Sequence, residues 1–149
     1  MDMIYVAYGS NMNKGQMAQR CPNAQAIGVM LLPDWRLVFR GVADIVPAKG
    51  FQCPVALWKI TEGCEDSLDK YEGFPTLYGK QYWKSSDGNC YMAYTMNRDG
   101  LALPPKIYLD GIVDGYEDFG VDKKYLKEAL DFTREYDSND GHIPKRYRA

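Results

Sequence analysis

The sequence predicts one α+β domain with about seven strands and three or four helices. Three observations predict this fold class. A chain of 149 residues has the usual length of a single domain. Its 46% hydrophobic and 26% charged residues are typical of a globular protein and not of a disordered one. Closely spaced strand patterns then give way to helical periodicity towards the end. We therefore expect a single domain over residues 1–149, in which residues 137–149 form a frayed tail.

The first half of the chain is predicted to contain five strands and one short helix. Residues 3–8 are rich in β-branched and aromatic side chains and end at Gly9, as a strand that enters a turn does. Residues 13–20 follow as a short helix that stops before Pro22. The other four strands are predicted at residues 26–32, 35–39, 43–48 and 54–60, with turn residues at Pro33-Asp34, Gly41 and Lys49-Gly50 between them. Such short connections between successive strands favour a β-meander or a β-barrel.

The second half is predicted to contain a capped helix, a hairpin and two further helices. Thr61 is a suitable N-cap for a helix over residues 62–72, and Gly73 is a suitable C-terminal stop. Strand patterns at residues 78–84 and 90–96 flank Asp87-Gly88, a pair that favours a hairpin turn. The spacing of apolar residues predicts helices over residues 107–119 and 122–136, which Gly120 separates.

The charge balance and the hydropathy exclude two classes of partner. Lys and Arg number 18 against 20 Asp and Glu, which gives a net charge of −2. Such a chain has no overall positive field that would attract nucleic acid or an anionic membrane. The longest unbroken apolar run, residues 26–32, is much shorter than the roughly 20 residues of a membrane-spanning helix, and no basic and then apolar leader opens the chain. We expect a cytoplasmic protein with no nucleic-acid partner and no membrane partner.

The cysteines and the histidine do not form a metal or nucleophile motif. The four cysteines are Cys21, Cys53, Cys64 and Cys90. No two of them have the CxxC spacing of a zinc ribbon or a thioredoxin-type site. We therefore expect reduced thiols, several of them buried, with one disulfide pair as the alternative. The single histidine, His142, lies in a polar tail that would hold a catalytic imidazole poorly. We expect no metal site.

The segment Tyr8-Gly9-Ser10-Asn11 is the first candidate for a binding site. In it a predicted strand ends in a glycine and two small polar residues just before a helix. Consecutive backbone N–H groups in such a turn form a concave site that suits a carboxylate or an oxyanion. The alternative is an ordinary strand-to-helix turn in which Ser10, Asn11 or Asn13 caps the helix.

Glu72 is the second candidate, because it ends the helix predicted at residues 62–72. Cys64, Leu68 and Glu72 are four residues apart, so the carboxylate shares the helix face that carries a thiol and a leucine inward. A negative charge in the last turn opposes the helix dipole by about 0.3–1 kcal/mol, and partial burial penalises the charge further. A carboxyl group so placed is suited to accept and return a proton near neutral pH. The alternative is a solvated glutamate at an ordinary helix end.

These two segments carry a resemblance to a known family. Residues 4–11 resemble the opening strand and loop of the γ-glutamylcyclotransferase family, and residues 68–73, followed by Tyr78, resemble its catalytic-glutamate segment. Further segments fall in matching order and spacing, namely residues 35–39, 55–60, 91–96, 104–108, 115–116 and 119–121. The resemblance spans most of the chain.

The resemblance implies a small mixed β-barrel with flanking helices and neither a metal nor an organic cofactor. It implies an enzyme that cyclises a γ-glutamyl compound to 5-oxoproline and releases an amine, with Glu72 as the general base. It also implies a set of substrate-binding residues, namely Tyr5, Val6, Ala7, Tyr8, Gly9, Ser10, Asn11 and Tyr108. The glutathione-degrading branch of the superfamily tends to carry leucine where this chain has Asn11. The resemblance therefore implies a γ-glutamyl amino acid or a γ-glutamylamine as the substrate.

The sequence leaves two other functions as alternatives. A member of the same fold could bind a small carboxylate ligand without turnover, because a fold does not fix a function. The 12 tyrosines and 3 tryptophans could instead stack the bases of a single-stranded nucleic acid, although the net charge disfavours this. Aromatic side chains at alternating strand positions, such as Trp58, Tyr82 and Tyr91, are more typical of half-buried packing.

Overall fold

The structure, a computed structural model, describes residues 2–137 as a mixed α+β fold with five strands and four helices. The elements follow one another as β1 (Met3–Ala7), a 3-10 turn (Ser10–Met12), α1 (Lys14–Arg20), β2 (Gln25–Phe39), β3 (Ala43–Ile60), α2 (Glu62–Glu72), β4 (Tyr78–Lys84), β5 (Cys90–Met96), α3 (Lys106–Asp118) and α4 (Lys124–Tyr136). The predicted α+β class is confirmed.

The five strands form one sheet in the order β2-β3-β1-β5-β4. The central strand, β1, is antiparallel to β3 and parallel to β5, so that Tyr5 has Trp58 and Met92 as its neighbours. Residues 4–7 of β1 are fully buried, which explains why this strand is apolar throughout instead of alternating. Because β1 is the middle strand of the sheet, the turn that follows it lies among the ends of the strands and between the two edge strands.

The sheet is open, and the barrel implied by the resemblance is therefore not supported. A barrel needs hydrogen bonds between its two outermost strands. Within residues 2–137, β2 pairs with β3 alone and β4 pairs with β5 alone. Near the end of β2 the only further pairing described is a single bridge between Arg40 and Ala102, which lies in a loop.

The expectation of seven strands was too high, because two predicted turns lie inside long strands. Each of β2 and β3 joins two of the predicted strands across a shift in register. At this shift Asp34 has φ 65° and Gly50 has φ 86°, and the Gly50 N–H donates to Asp34 Oδ1 at 3.0 Å. The irregularity therefore shifts the pairing of β2 with β3 without ending either strand.

The helices follow their sequence signals closely, as α2 shows best. The Thr61 hydroxyl accepts a hydrogen bond from the Cys64 N–H at 3.2 Å, which is an N-cap. Gly73 has φ 69° at the other end, and the Phe74 N–H donates to the Asp69 carbonyl at 2.9 Å. Glu72 is thus held as the last residue of α2, as predicted.

All four cysteines are free thiols, and only Cys90 is not fully buried, in agreement with the prediction. None of the helices between residues 2 and 137 is both long enough and apolar enough to cross a membrane. His142 and residues 138–149 of the predicted tail lie outside the described residues.

Candidate active site

The turn after β1 and the end of α2 meet at one hydrogen bond between side chains. Asn11 Nδ2 donates to Glu72 Oε1 at 3.4 Å. Asn11 is only 2% exposed, whereas Glu72 is half-buried. The two residues that sequence patterns singled out separately are therefore neighbours, and the half-buried carboxylate lies at the edge of the protein interior.

Asn11 is fixed from several sides. Its Nδ2 also donates to the Tyr5 hydroxyl at 2.9 Å, and its backbone carbonyl accepts from Trp58 Nε1 at 3.0 Å. Its Oδ1 accepts from the Arg20 guanidinium. Of the three residues considered as the helix cap, Asn13 is the N-cap of α1, and its Oδ1 accepts a hydrogen bond from the Gln16 N–H at 3.0 Å. Asn11 and Ser10 are thus left to contact other elements.

Ser10 contacts the residue next to Glu72. The Ser10 and Tyr71 hydroxyl oxygens lie 3.4 Å apart. The Arg20 guanidinium lies over the Tyr71 ring, 3.6 Å from its centroid, which is a cation–π geometry. A second set of contacts therefore joins the turn to the last turn of α2.

Gly9 and Tyr108 lie together at the opening of the turn. A Cβ on Gly9 would lie 3.2 Å from the Tyr108 hydroxyl and 3.1 Å from the Ala43 Cβ, so this position has little space for a side chain. The Ala43 N–H donates to the Tyr108 hydroxyl at 3.0 Å, and the Ala43 carbonyl accepts from the Tyr78 hydroxyl at 2.8 Å. One residue of β3 thereby orients two tyrosines.

Four buried tyrosines lie within the range of the Glu72 charge. Burial raises the pKa of the Tyr5, Tyr8 and Tyr78 hydroxyls well above the usual value, and the negative charge of Glu72 raises each of them further. The pKa of Tyr94 is raised by burial, by its hydrogen bond to Asp69 and, more weakly, by Glu72. All four hydroxyls are therefore neutral at physiological pH.

The position of α2 depends on a network that the sequence patterns did not reveal. Lys80 Nζ lies 2.8 Å from Glu65 Oε2 and 2.9 Å from Asp69 Oδ2, and only 8% of its side chain is exposed. The Tyr94 hydroxyl donates to Asp69 Oδ1 at 2.6 Å. These contacts hold α2 against β4 and β5. No local pattern pairs residues of a helix with those of later strands, so sequence periodicity carried no signal for this network.

The structure therefore brings most of the predicted site residues together. Tyr5, Gly9, Ser10, Asn11, Glu72 and Tyr108 form the connected set described above. Tyr8 lies beside them, and its hydroxyl donates to the Tyr94 carbonyl at 2.8 Å. Val6 and Ala7 are buried in the sheet at 0% and 1% exposure, so their apolar side chains pack in the core and line no surface.

Of two other kinds of site, a cavity lies apart from the turn, and a cluster of metal ligands does not occur among the residues that the structure describes. A cavity of about 410 Å³ lies between β2 and the start of α4, lined by Val29, Met30, Leu31, Val121 and Tyr125 among others, and it contains none of the predicted site residues. Within residues 2–137 no group of three or more His, Cys, Asp or Glu side chains could hold a metal ion. The groups available at the turn are one carboxylate, neutral hydroxyls, backbone amides, the Asn11 side-chain amide and the Arg20 guanidinium.

Comparisons with known proteins point to one family. Residues 5–110 match the family model described as gamma-glutamyl cyclotransferase, AIG2-like. No curated protein sequence matches the chain.

Similar folds occur among solved structures. A gamma-glutamyl cyclotransferase is 23% identical over 99% of this chain and 96% of that one, with a TM-score of 0.75. An uncharacterized protein from Homo sapiens is 23% identical over 97% of this chain and 94% of that one, with a TM-score of 0.72. YkqA from Bacillus subtilis is 19% identical over 91% of this chain and 55% of that one, with a TM-score of 0.70. These likenesses show the fold.

Proposed function

The chain belongs to the gamma-glutamyl cyclotransferase, AIG2-like family, and on this premise we propose that it converts a γ-glutamyl amino acid or a γ-glutamylamine to 5-oxoproline and a free amine. The observation that carries the proposal is the contact of Glu72 Oε1 with the turn residue Asn11. It unites a candidate general base with a candidate binding turn. Glu72 is the catalytic residue in this proposal.

The reaction requires little more than a folded substrate and one group that carries protons. Glu72 takes a proton from the substrate's α-ammonium group, and the freed lone pair attacks the γ-carbonyl carbon. The bond from that carbon to the leaving nitrogen breaks as Glu72 returns a proton to the leaving nitrogen. One of the two protons still on the attacking nitrogen also passes, by way of Glu72, to the released amine, which leaves as an ammonium ion. The other stays as the N–H of the 5-oxoproline ring. Positioned intramolecular attack can supply about 7–11 kcal/mol of the barrier. The proton transfer contributes a factor of about 10²–10⁴.

The turn after β1 supplies the binding groups. The first N–H groups of a helical turn have no acceptor within it, so those of Gly9 and Ser10 suit either the α-carboxylate or the oxyanion that develops on the γ-carbonyl oxygen. Tyr5, Tyr8, Asn11 and Tyr108 complete the proposed binding set with neutral side chains. Val6 and Ala7 contribute only the buried backbone that leads into the turn.

The test is the release of 5-oxoproline from a panel of γ-glutamyl amino acids, γ-glutamylamines, γ-glutamyl-ε-lysine and glutathione. We expect turnover of a γ-linked compound and none of its α-linked isomer, because only the γ-linkage lets the α-amine close a five-membered ring. Intact glutathione is expected to be a poor substrate. Equal rates on both isomers would contradict the cyclisation. Binding of γ-glutamyl compounds without product would favour the alternative of a non-catalytic carboxylate-binding protein.

A further inference from the structure

Arg20 is a cation that contacts the Asn11 side chain directly. It ends α1, and its guanidinium makes two hydrogen bonds in a fork, one to Asn11 Oδ1 at 2.5 Å and one to Gln16 Oε1 at 2.7 Å. The same group stacks on Tyr71. Arg20 thus contacts both halves of the site, the turn through Asn11 and the end of α2 through Tyr71.

We propose that Arg20 is a positioning residue, which fixes the orientation of the Asn11 side-chain amide so that Nδ2 faces Tyr5 and Glu72. This inference rests on the proposed function only for its kinetic consequence. The orientation itself is a property of the folded chain and is measurable without turnover.

The chemistry of the partners explains why Arg20 decides this orientation. The two ends of an amide have nearly the same shape, so the amide turns to suit its neighbours. The Tyr5 hydroxyl can donate or accept and therefore prefers neither end. Glu72 accepts when ionised but can donate once it has taken a proton. The guanidinium of Arg20 donates only, whatever the state of Glu72. It therefore keeps Oδ1 facing itself and Nδ2 facing the carboxyl group throughout the reaction.

The fixed orientation of the Asn11 amide changes the proton affinity of Glu72. An N–H group that donates to a carboxylate stabilises its charged form. With Arg20 in place, the protonated carboxyl is never given an amide oxygen to donate to, so Glu72 returns its proton to the leaving amine more readily. Without Arg20, the Asn11 side-chain amide rotates when Glu72 is protonated, so that its oxygen faces the carboxyl group. Glu72 then holds its proton more tightly. The groups described as interacting with Glu72 include the Asn11 amide, which donates to it, and the hydroxyls of Tyr5 and Tyr8 from β1, Tyr78 from β4 and Tyr94 from β5.

The first experiment follows the Glu72 carboxyl carbon by NMR through a pH titration of the whole chain. Relative to the unmodified protein, Arg20→Met is expected to raise the midpoint by about one pH unit. Arg20→Lys keeps the positive charge but cannot form the fork, and it is expected to give at least half of the same rise. If Arg20→Lys instead titrates like the unmodified protein, charge alone acts and the proposal is overturned.

A double-variant comparison separates action through Asn11 from direct action. In an Asn11→Leu background, which has no amide to orient, Arg20→Met is expected to cause no further shift. An undiminished shift there would overturn the proposal. Gln16→Leu leaves Arg20 in place but removes one of its acceptors, and it is expected to shift the midpoint in the same direction by a smaller amount. This variant keeps the proposal falsifiable if Arg20→Met does not fold.

The matched control and the kinetic readout complete the test. Arg36 also stacks on aromatic rings, 3.6 Å from the Phe132 centroid and 4.4 Å from that of Phe51, and it has no described contact with the site. Arg36→Met is expected to leave the titration unchanged. On the best γ-glutamyl substrate, Arg20→Met is expected to lower kcat about tenfold or more with little change in KM. If the unmodified chain releases no 5-oxoproline, the proposed function fails, while the titration still decides the role of Arg20.

Discussion

Asn11 Nδ2 and Glu72 Oε1 lie 3.4 Å apart, although 61 positions separate the two residues in the sequence. One belongs to the turn that leaves the central strand and the other ends a helix that packs against the same sheet. Changes on either side of this contact should therefore affect the same reaction. The proposed chemistry depends on both residues staying in place.

Glu72→Gln is expected to lower kcat by about two orders of magnitude or more while circular dichroism stays native. The substitution keeps the size of the side chain but removes its ability to accept a proton. Thermal stability is expected to stay equal or rise slightly, because a negative charge leaves the C-terminal end of α2. The measurements are 5-oxoproline release and thermal melting. Near-normal turnover would refute Glu72 as the base.

Glu62→Gln is the matched control for this prediction. Glu62 is an exposed residue in the first turn of the same helix, where a negative charge is favourable. The same substitution there is expected to leave turnover unchanged and to lower stability by up to about 1 kcal/mol. Of the two variants, Glu62→Gln is therefore expected to be the less stable, and only Glu72→Gln is expected to change activity.

Gly9→Ala is expected to damage turnover more than Ser10→Ala does. The added Cβ would press on the Tyr108 hydroxyl and on Ala43, whereas removal of the Ser10 hydroxyl loses one long contact to Tyr71. We expect kcat/KM to fall about tenfold or more for Gly9→Ala, since small displacements at a reacting site are costly. Gly28→Ala is the control, because a Cβ there meets no atom within 4 Å. Equal and mild effects at Gly9 and Ser10 would indicate an ordinary turn.

Activity is expected to be unchanged after treatment with a chelator. Residues 2–137 contain no cluster of His, Cys, Asp and Glu suited to a metal ion, and the proposed reaction moves protons through Glu72 alone. The measurement is 5-oxoproline release before and after dialysis against chelator. Loss of activity that a divalent ion restores would show that a metal takes part.

The free energy of unfolding is expected to decrease as the pH rises above about 10, the usual pKa of tyrosine. Burial raises the pKa of Tyr5, Tyr8 and Tyr78 in the folded state, so the unfolded chain loses these protons first and gains stability relative to the folded chain. Thermal melts and tyrosinate absorbance across alkaline pH measure the effect. Tyr78→Phe is expected to show a shallower decrease. A flat profile would mean that these hydroxyls ionise without unfolding.

Several elements could be predicted from the sequence because their causes are local. The Thr61 cap, the apolar face of α2 and the αL residue Gly73 lie within a dozen positions and fix the bounds of that helix. The hairpin between β4 and β5 was likewise predicted from Asp87-Gly88 and its two flanking strand patterns. The β-branched and aromatic residues of β1 predicted a strand, and the glycine after it marked the turn.

The sheet shows where local signals failed. Pro33-Asp34 and Lys49-Gly50 are typical of turns. In the structure Asp34 and Gly50 are hydrogen-bonded to each other at a shift in register, and both strands continue past it. Whether such residues end a strand depends on the partner strand, which sequence patterns do not identify. The predicted barrel failed for the same reason. Whether a sheet closes depends on the distance between its edge strands, which sequence patterns do not give.

The sequence by itself determined the α+β class, most helix bounds and the two segments that hold the candidate site, because capping, periodicity and turn chemistry act over a few residues. Only the tertiary structure decided that Asn11 reaches Glu72, that Tyr108 lies against Gly9 and that Arg20 holds the Asn11 amide. These contacts join distant parts of the chain. They depend on how β1, α1, α2 and α3 pack together, and packing is a property of the whole folded chain that no short segment contains.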